Sequence, residues 1–441
     1  MKKIIAILLA AVLVLGLCAC TVEKETQGPS NPNTSTETTE ITLWTYPIGG
    51  WGNQDTVNGL IAKFEAANPG IKVKVEYLDY TNGDAAVANA IQAGNTPDLI
   101  MEGPERLVAN YGAAGKMVDL SDLLDATDKS EINAAALNAC WGTDGKLYEY
   151  PLVMTAHCMA INKTIFEAAG AMEHLNAETH TWKSTEDFFA AMQKVTTYMG
   201  APAGAVYCGG QGGDQGTRAL ITNLNGGTFT NAAHTEYTWN STENITALTR
   251  LKDSGVVTFD SSLVGGDEIR EFYMGNLGVA FCWNIAQQLD PNGAKTGAEK
   301  TVNGDDILFM AFPSDSTPLL QGGIWGFGVF NNGNDAKIAA AKTFIKYMCD
   351  SAATAEAVKA ANYFAVRSAA EGTDLSNVWA DNAIMAEYNK LMPMLGDYYQ
   401  VTTNWAAART AWWSMLQEVG TGADIAATVA KWAAQANTPA N

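Results

Sequence analysis

The sequence predicts an α/β protein organised around a parallel sheet, and the stretch from 41 to 102 carries the observations that indicate it. Residues 71–77 (IKVKVEY) alternate apolar and charged side chains, which is the two-residue period of a strand. Strands are also predicted at 41–46 (ITLWTY) and 96–102 (TPDLIME), with a helix in each interval. Strands separated by helices run parallel, because parallel neighbours need a crossover connection. The first helix repeats its apolar residues with the helical period, at Val57, Leu60, Ile61 and Phe64.

The ends of these strands carry aromatic and acidic side chains. Ligands of parallel sheets bind beyond the carboxyl ends of the strands. Aromatic faces beside a carboxylate predict a site for a neutral, hydroxylated molecule, since sugar rings have apolar C–H faces and hydroxyls that need polar partners. The candidates are Trp44, Tyr46 and Trp51 at the first strand and Glu102 at the third.

The length of 441 residues exceeds what one ordinary core accommodates, so the sequence predicts two domains. The first boundary follows Tyr150, because a proline after an extended run marks a change of element. A strand predicted at 307–313 returns the chain to the first domain. We therefore expect a first lobe from 41–150 and 307–331, and a second lobe from 151–306 and 332–441.

The first forty residues are predicted to be targeting and tether segments outside the folded body. Two lysines precede an apolar run that is too short for a membrane span, so 1–19 is predicted to be a signal peptide. A small residue before Cys20 resembles a lipoprotein signal, with cleavage before Cys20 and acylation of its thiol; a plain secretory signal is the alternative. Residues 20–40 are rich in Thr, Ser, Asn, Pro and Glu, and are predicted to be a disordered, lipid-anchored linker.

Charge and cysteine usage narrow the class of protein. The formal net charge of −20 argues against nucleic-acid binding, which needs a lysine and arginine footprint, and against adsorption to an anionic membrane. The cysteines beyond Cys20 are odd in number and far apart, which predicts buried free thiols, leaves one disulfide open and gives no metal-ligand spacing. They are Cys140, Cys158, Cys208, Cys282 and Cys349.

Catalytic motifs are missing from the sequence. It has four histidines without an HExxH pattern and no G-x-S-x-G elbow, which favours a protein that is not an enzyme and needs no cofactor. Abundant carboxylates leave a glycosidase pair open, but nothing singles two of them out. The glycine-rich segment 208–216 offers two further candidate ligand contacts, Gln211 and Asp214; the alternative for this segment is a plain surface loop. The remaining candidates are Trp283 and Asn284 at the end of the predicted strand 275–286, and Trp325 in the predicted strand 322–330.

Short motifs in a fixed order give the chain a family resemblance. They include LIAKFEAANPGIKVKVEY, AGNTPDLIM, DGKLYEYPL, TWKSTEDFFAAM, LNGGTF, GNLGVAF, GGIWGFGVF and GTGADIAATVAKWAAQAN. Together they resemble the sugar-binding lipoproteins of ATP-binding-cassette (ABC) importers, in the extracellular solute-binding family 1, which is maltose-binding-protein-like. The resemblance implies a two-lobe, periplasmic-binding-protein-like fold of type II, in which crossing segments form a hinge and a ligand cleft lies between the lobes. It also implies a monomer, lipid-anchored on the extracytoplasmic face of the cell membrane, that delivers its ligand to permease subunits.

The resemblance also implies roles for particular residues. NWAAARTA (404–411) is similar to the family segment that supplies a stacking tryptophan and an arginine, which gives those roles to Trp405 and Arg409. Thr155 and His157 stand where the family has a glutamate and a tyrosine, and this departure argues against maltodextrin itself. A single histidine such as His157 is usually a packed or hydrogen-bonded residue, which is the alternative to a ligand contact. Family positions that line the cleft correspond to Trp44, Glu102, Trp283 and Trp325.

The sequence as a whole predicts capture of a mono- or oligosaccharide by closure of two lobes. The alternatives are a binder of a polyamine, peptide or metal, and a lipid-anchored glycoside hydrolase.

Overall fold

The computed structural model describes residues 38–80, 82–210, 214–289 and 300–438. The predicted signal peptide, the acylation site Cys20, the predicted linker up to Glu37, and Gln211 lie outside the described residues. Thr39 and Glu40, which the sequence places at the end of the linker, instead begin the first strand.

The described chain alternates strands and helices, as the sequence predicts. The strands are β1 (Thr39–Thr45), β2 (Ile71–Tyr77), β3 (Leu99–Glu102), β4 (Tyr150–Ala156), β5 (Cys158–Asn162), β6 (Leu175–Asn176), β7 (Thr181–Trp182), β8 (Gly204–Tyr207), β9 (Val257–Asp260), β10 (Val279–Trp283), β11 (Ile307–Met310), β12 (Gly322–Val329), β13 (Phe364–Ala365), β14 (Ala369–Ala370) and β15 (Thr373–Asp374). The helices are α1 (Gln54–Ala67), α2 (Gly83–Ala93), α3 (Pro104–Arg106), α4 (Ala126–Glu131), α5 (Ala134–Ala139), α6 (Lys163–Ala168), α7 (Thr185–Met199), α8 (Gln215–Asn225), α9 (Thr242–Asp253), α10 (Gly265–Tyr273), α11 (Ile285–Leu289), α12 (Asp335–Cys349), α13 (Thr354–Ala361), α14 (Ala383–Asn389), α15 (Trp405–Gly420) and α16 (Ile425–Ala436).

The first lobe is built on a six-stranded sheet with the order β13-β4-β12-β3-β1-β2. β1 pairs in parallel with β2 and β3, which confirms the parallel arrangement predicted for the start of the chain. β12 inserts between β3 and β4 and runs antiparallel to both. The predicted helix face is also confirmed, because Val57, Leu60, Ile61 and Phe64 of α1 are all buried.

The second lobe is built on smaller sheets. β10, β5 and β11 form an antiparallel sheet, and β8 pairs in parallel with β9 beside it. α15 packs against β9, and α16 packs against α9. The terminal helices therefore complete the second lobe.

The chain crosses between the sheets later than the sequence predicts. β4 belongs to the first sheet and β5 to the second, so the first crossing lies at His157 and not at Tyr150. Pro151 is tolerated inside β4 because the pairing with β12 shifts register beside it, between Trp325 and Gly326. Proline therefore marks a bulge here and not a domain boundary.

Two further assignments differ from the expected boundaries. β11 pairs with β5 in the second lobe, so the strand predicted at 307–313 does not return the chain, which re-enters the first sheet with β12. α12 packs against β1, β4 and β12, and α13 packs against α1, although the sequence places 332–441 in the second lobe. An amphipathic pattern shows that a helix has a buried face but does not say which sheet that face covers. The third crossing lies between β13 and α15.

Burial of the cysteines follows the prediction of free thiols. Within the described residues all five cysteines are buried, and none forms a disulfide. The described part of the chain has no helix that is both long and apolar enough to span a bilayer.

Candidate functional site

A stacked pair of aromatic rings lies at one end of the first sheet. The indole of Trp325 and the ring of Tyr363 have centroids 4.8 Å apart and planes inclined by 14°. Both side chains are half-buried. Trp325 lies flat across Gly323, since a Cβ at that glycine would be 2.0 Å from the indole. The glycine thus makes room for a partly open aromatic face.

A network of charged side chains follows the end of β3, next to this pair in the sheet. Arg106 Nη1 donates to Glu102 Oε1 at 2.7 Å, and Arg106 Nε donates to Asp84 Oδ1 at 2.6 Å. The hydroxyl of Tyr46 donates to the same Asp84 oxygen at 2.7 Å. Tyr80 stacks on Tyr46 with centroids 5.3 Å apart and remains 51% exposed. Arg106 therefore fixes both carboxylates and the tyrosine pair.

One carboxyl oxygen of Glu102 makes no hydrogen bond within the described chain. Its side chain is buried, and Oε2 has no hydrogen-bond partner among the described residues. Burial, reinforced by the charge of Glu105, raises the pKa of Glu102 to about 8, while Arg106 acts in the opposite direction. This carboxyl can accept or donate a hydrogen bond near neutral pH.

Two more glutamates lie close to this network. The hydroxyl of Tyr398 donates to Glu105 Oε2 at 2.7 Å. Glu149 is fully buried, and neither of its carboxyl oxygens has a hydrogen-bond partner in the described chain. Burial, and then the charges of Glu105 and Glu102, raise the pKa of Glu149 well above its usual range. The first-lobe side of the site is therefore rich in carboxyl groups.

The second lobe supplies a carboxylate shared by two guanidinium groups. Arg409 Nη2 donates to Asp214 Oδ1 at 2.9 Å, and Arg409 Nε donates to Oδ2 at 3.1 Å. Arg218, one helical turn after Asp214, pairs with Oδ2 through Nη1 and donates from Nε to the Tyr399 hydroxyl at 2.8 Å. Asp214 and Arg218 are both buried.

Aromatic rings cover the Arg218 guanidinium. Its carbon lies 4.9 Å from the Trp405 centroid, 5.5 Å from that of Phe229 and 5.6 Å from that of Tyr399. Trp405 is the first residue of α15 and is half-buried, with Arg409 over its ring at 5.8 Å. The structure thus brings together Asp214, Trp405 and Arg409.

The crossing segments join the two groups. Adjacent residues Tyr398 and Tyr399 reach Glu105 of the first lobe and Arg218 of the second. His157 donates its backbone N–H to the Gln321 carbonyl at 2.6 Å. Burial, followed by the charge of Arg218, lowers the pKa of His157 to about 4, so its imidazole is neutral at pH 7. His157 Nδ1 and the hydroxyl of buried Thr155 lack partners among the described residues.

The remaining predicted residues lie elsewhere. Trp51 and Trp283 are fully buried, and their indole N–H groups donate to the Ala357 carbonyl at 3.2 Å and to Gln288 Oε1 at 2.9 Å. Core packing accounts for both indoles, which offer no face to a ligand. Trp44 is half-buried within β1, and Asn284 Oδ1 accepts the Ala286 N–H at 2.7 Å before α11.

Several residues of the two groups escape the sequence-based predictions. Tyr80 and Arg106 follow the ends of β2 and β3, so the strand-end rule applied to every strand would have selected them. Arg218 could have been found from its spacing, because a basic residue four positions after Asp214 on a helix is placed to pair with it. Tyr363, Tyr398, Tyr399 and Glu149 carry no local signal, because each reaches the site through tertiary packing.

The described residues contain no group of three His, Cys, Asp or Glu side chains arranged to hold a metal ion. The arrangement can instead stack apolar ring faces and exchange hydrogen bonds with hydroxyl groups, using donors and acceptors from both lobes.

The chain is similar to known solute-binding proteins. Residues 59–387 match the family of bacterial extracellular solute-binding proteins. The maltodextrin-binding protein MdxE of Bacillus subtilis is 27% identical over 169 residues, which cover 38% of this chain and 36% of that protein. The match therefore spans about a third of that relative's length.

Solved structures share the fold. The cyclic alpha-maltosyl-1,6-maltose binding protein of Arthrobacter globiformis superposes with a TM-score of 0.73 at 19% identity, over 91% of this chain and 98% of that chain. The ABC substrate-binding protein Lmo0181 of Listeria monocytogenes, solved with cycloalternan, gives a TM-score of 0.65 at 19% identity and the same coverage. The two lobes joined by crossing segments are those of a type II periplasmic binding protein, which confirms the predicted fold. The chain belongs to the family of bacterial extracellular solute-binding proteins.

Proposed function

We propose that this protein captures a carbohydrate between its lobes and delivers it to the permease of an ABC importer. The observation that carries the proposal is the pair of partly open aromatic faces, Trp325–Tyr363 in one lobe and Trp405 in the other, each beside a carboxylate–arginine pair. Three of the similar proteins are named for, or were solved with, a saccharide: maltodextrin, cyclic alpha-maltosyl-1,6-maltose and cycloalternan.

The chemistry of the site suits a sugar. Apolar C–H faces of a pyranose pack on aromatic rings, and its hydroxyls both donate and accept hydrogen bonds. Glu102 Oε2, Thr155 Oγ1 and His157 Nδ1 are buried polar atoms without partners in the described chain. Buried polar atoms are normally hydrogen-bonded, so these atoms are suited to ligand hydroxyls.

Capture is proposed to use closure about the three crossing segments. Each lobe contributes part of the site, so the ligand makes all of its contacts only when the lobes approach. Binding shifts the open–closed equilibrium by as much as the ligand prefers the closed state.

We further propose that acylation of Cys20 tethers the protein to the outer face of the cell membrane, that it acts as a monomer, and that it releases its ligand unchanged. Cys20→Ala should move the protein from the membrane fraction to the medium, and light scattering should give the mass of one chain. A saccharide recovered with altered linkages would contradict the third point and indicate a glycoside hydrolase.

The binding test is isothermal titration with a panel of neutral and acidic saccharides. Trp325→Ala and Trp405→Ala should each weaken binding at least about tenfold, since an aromatic stacking contact is worth about 1 kcal/mol beyond its buried area. Trp432→Ala, which removes a half-buried indole on α16, is the matched control and should leave affinity unchanged. Failure of the wild type to bind any saccharide would sink the proposal and favour a polyamine or peptide.

A further inference from the structure

Arg218 is a buried cation with an unused donor. Its side chain is fully buried, and Nη2 has no hydrogen-bond partner in the described chain. Nη1 donates to Asp214 and Nε donates to the Tyr399 hydroxyl, so both N–H groups of Nη2 are unused within the described chain. Removing a guanidinium from water is expensive unless its charge and all of its donors are matched.

The carboxylate beside Arg218 neutralises it only in part. Asp214 accepts from Arg218 and Arg409 through the same oxygen, Oδ2, and from Arg409 again through Oδ1. The negative charge of Asp214 is thus divided between two guanidinium groups. Among the other titratable neighbours, His157 is neutral, and Asp397, whose charge acts on Tyr399, lies at the surface 2.8 Å from His234.

On the first-lobe side of the site, acidic side chains outnumber basic ones. Arg106 pairs with Asp84 and lies 3.9 Å from Glu105, while the raised pKa values of Glu102 and Glu149 keep these two buried carboxyls mostly protonated near pH 7. An anionic group would be repelled there and attracted to Arg218.

We propose that the captured saccharide is acidic, and that its anionic group binds Arg218 in the second lobe while its ring stacks on Trp325 and Tyr363 in the first. This inference rests on the proposed carbohydrate function and specifies the class of ligand. Both N–H groups of Nη2 are donors, which suits the oxygens of a uronic-acid carboxylate or of a sugar phosphate. Arg218 acts as the residue that sets specificity.

The first test compares matched ligands on the wild-type protein. Glucuronate and galacturonate, with their oligosaccharides, are titrated against glucose, galactose and their oligosaccharides, and hexose 6-phosphates form a third arm. We expect at least one acidic sugar to bind at least about tenfold more tightly than its neutral counterpart. That advantage should shrink as salt rises to about 0.5 M, although a buried pair is screened less than an exposed one. Tight uronate binding identifies the carboxylate as the anion, and tight binding of the hexose phosphate identifies the phosphate.

Equal or tighter binding of the neutral sugars would overturn the inference and leave the proposed function standing. Binding of no sugar at all would overturn both.

The second test removes the charge of Arg218. Arg218→Met keeps a long apolar stem against the three rings, and Arg409 still holds Asp214. Affinity for the acidic sugar should fall at least about tenfold, affinity for its neutral counterpart should change by less than about threefold, and Arg218→Lys should recover part of the loss. Arg250→Met, which removes a partly exposed arginine paired with Glu186, is the control and should change neither. If Arg218→Met does not fold, the matched titrations of the wild type decide the question.

Discussion

Unpaired ionisable groups are buried on both sides of the candidate site. Glu149 and Glu102 in the first lobe and Arg218 in the second each keep at least one polar atom without a partner in the described chain. Such atoms reduce stability, and proteins retain them mainly where binding or chemistry uses them. At the residue scale, the aromatic rings of the site are therefore accompanied by buried acids and a buried arginine with unmet hydrogen bonds.

Glu149 should make stability fall as pH rises. In the unfolded chain a glutamate ionises near its usual pKa of 4.5, whereas the folded carboxyl holds its proton to a much higher pH. Between these values unfolding releases a proton, so the free energy of unfolding decreases with pH. Glu149→Gln should remove this loss: the variant should match the wild type near pH 4.5 and then gain on it by about 1.4 kcal/mol for each pH unit, until the pH at which the folded carboxyl ionises.

Urea denaturation across this pH range measures the effect of Glu149→Gln. The exposed Glu243→Gln is the control and should run parallel to the wild type at every pH. A Glu149→Gln curve that is also parallel would mean that the carboxyl is ionised and paired.

Gly323 should be needed for ligand stacking and not for folding. A Cβ at this position would lie 2.0 Å from the Trp325 indole, so the ring that stacks on Tyr363 must shift in Gly323→Ala. We expect sugar affinity to fall about tenfold, with a change in tryptophan fluorescence. Gly266→Ala in α10, where a Cβ meets nothing within 4 Å, is the control. An unchanged affinity in Gly323→Ala would remove Trp325 from the site.

The segment between β13 and α15 is the element that ties the two lobes together near the site. Tyr398 contacts Glu105, Tyr399 contacts Arg218, and the Gln400 amide donates to the Gly322 carbonyl at 3.0 Å. Consecutive residues therefore reach a first-lobe acid, a second-lobe cation and the first residue of β12. A change here acts on both lobes at once.

Tyr398→Phe should destabilise the protein by about 1.5–3 kcal/mol, the usual worth of a hydrogen bond to a charged group, because Glu105 loses its buried donor. Chemical denaturation measures this loss, and Tyr198→Phe, at a ring 57% exposed on α7, should cost nothing. Equal stability of the two variants would show that water replaces the Tyr398 hydroxyl.

The elements show what the sequence can predict. β1, α1 and β2 are predictable because their side-chain periods are local. β12 is recognisable as a strand, but its antiparallel place between β3 and β4 is not, since hydrogen-bond partners distant in the chain leave no periodic mark. The same limit explains why the boundary expected at Tyr150 and the lobe expected for α12 are wrong.

In the candidate site, too, local patterns are predictable from the sequence and tertiary packing is not. Glu102, Trp325, Trp405 and Arg409 can be predicted from strand ends or family motifs, and Asp214 from the glycine-rich segment 208–216. Trp51 and Trp283 carry the same signal and are nevertheless buried, because position at a strand end does not determine which way an indole points.

At the scale of the whole molecule, two lobes joined by three crossings should close on a ligand. Small-angle scattering should give a smaller radius of gyration with saturating sugar than without it. Ligand at about 100 times its dissociation constant should also raise the free energy of unfolding by about 2.7 kcal/mol. Stabilisation without compaction would mean that the lobes are already closed before binding.

The five buried cysteines can report how fast the native protein opens locally. Burial raises the pKa of every one of these thiols, to about 12 for Cys158 and Cys208, so the reactive thiolate scarcely forms in the native state. The rate at which a thiol-specific dye labels each cysteine should therefore measure how often the surrounding part of the lobe unfolds. Cys140 and Cys349 lie among first-lobe elements, whereas Cys208 and Cys282 lie in the second lobe. Labelling followed by peptide mapping would therefore give separate opening rates for the two lobes.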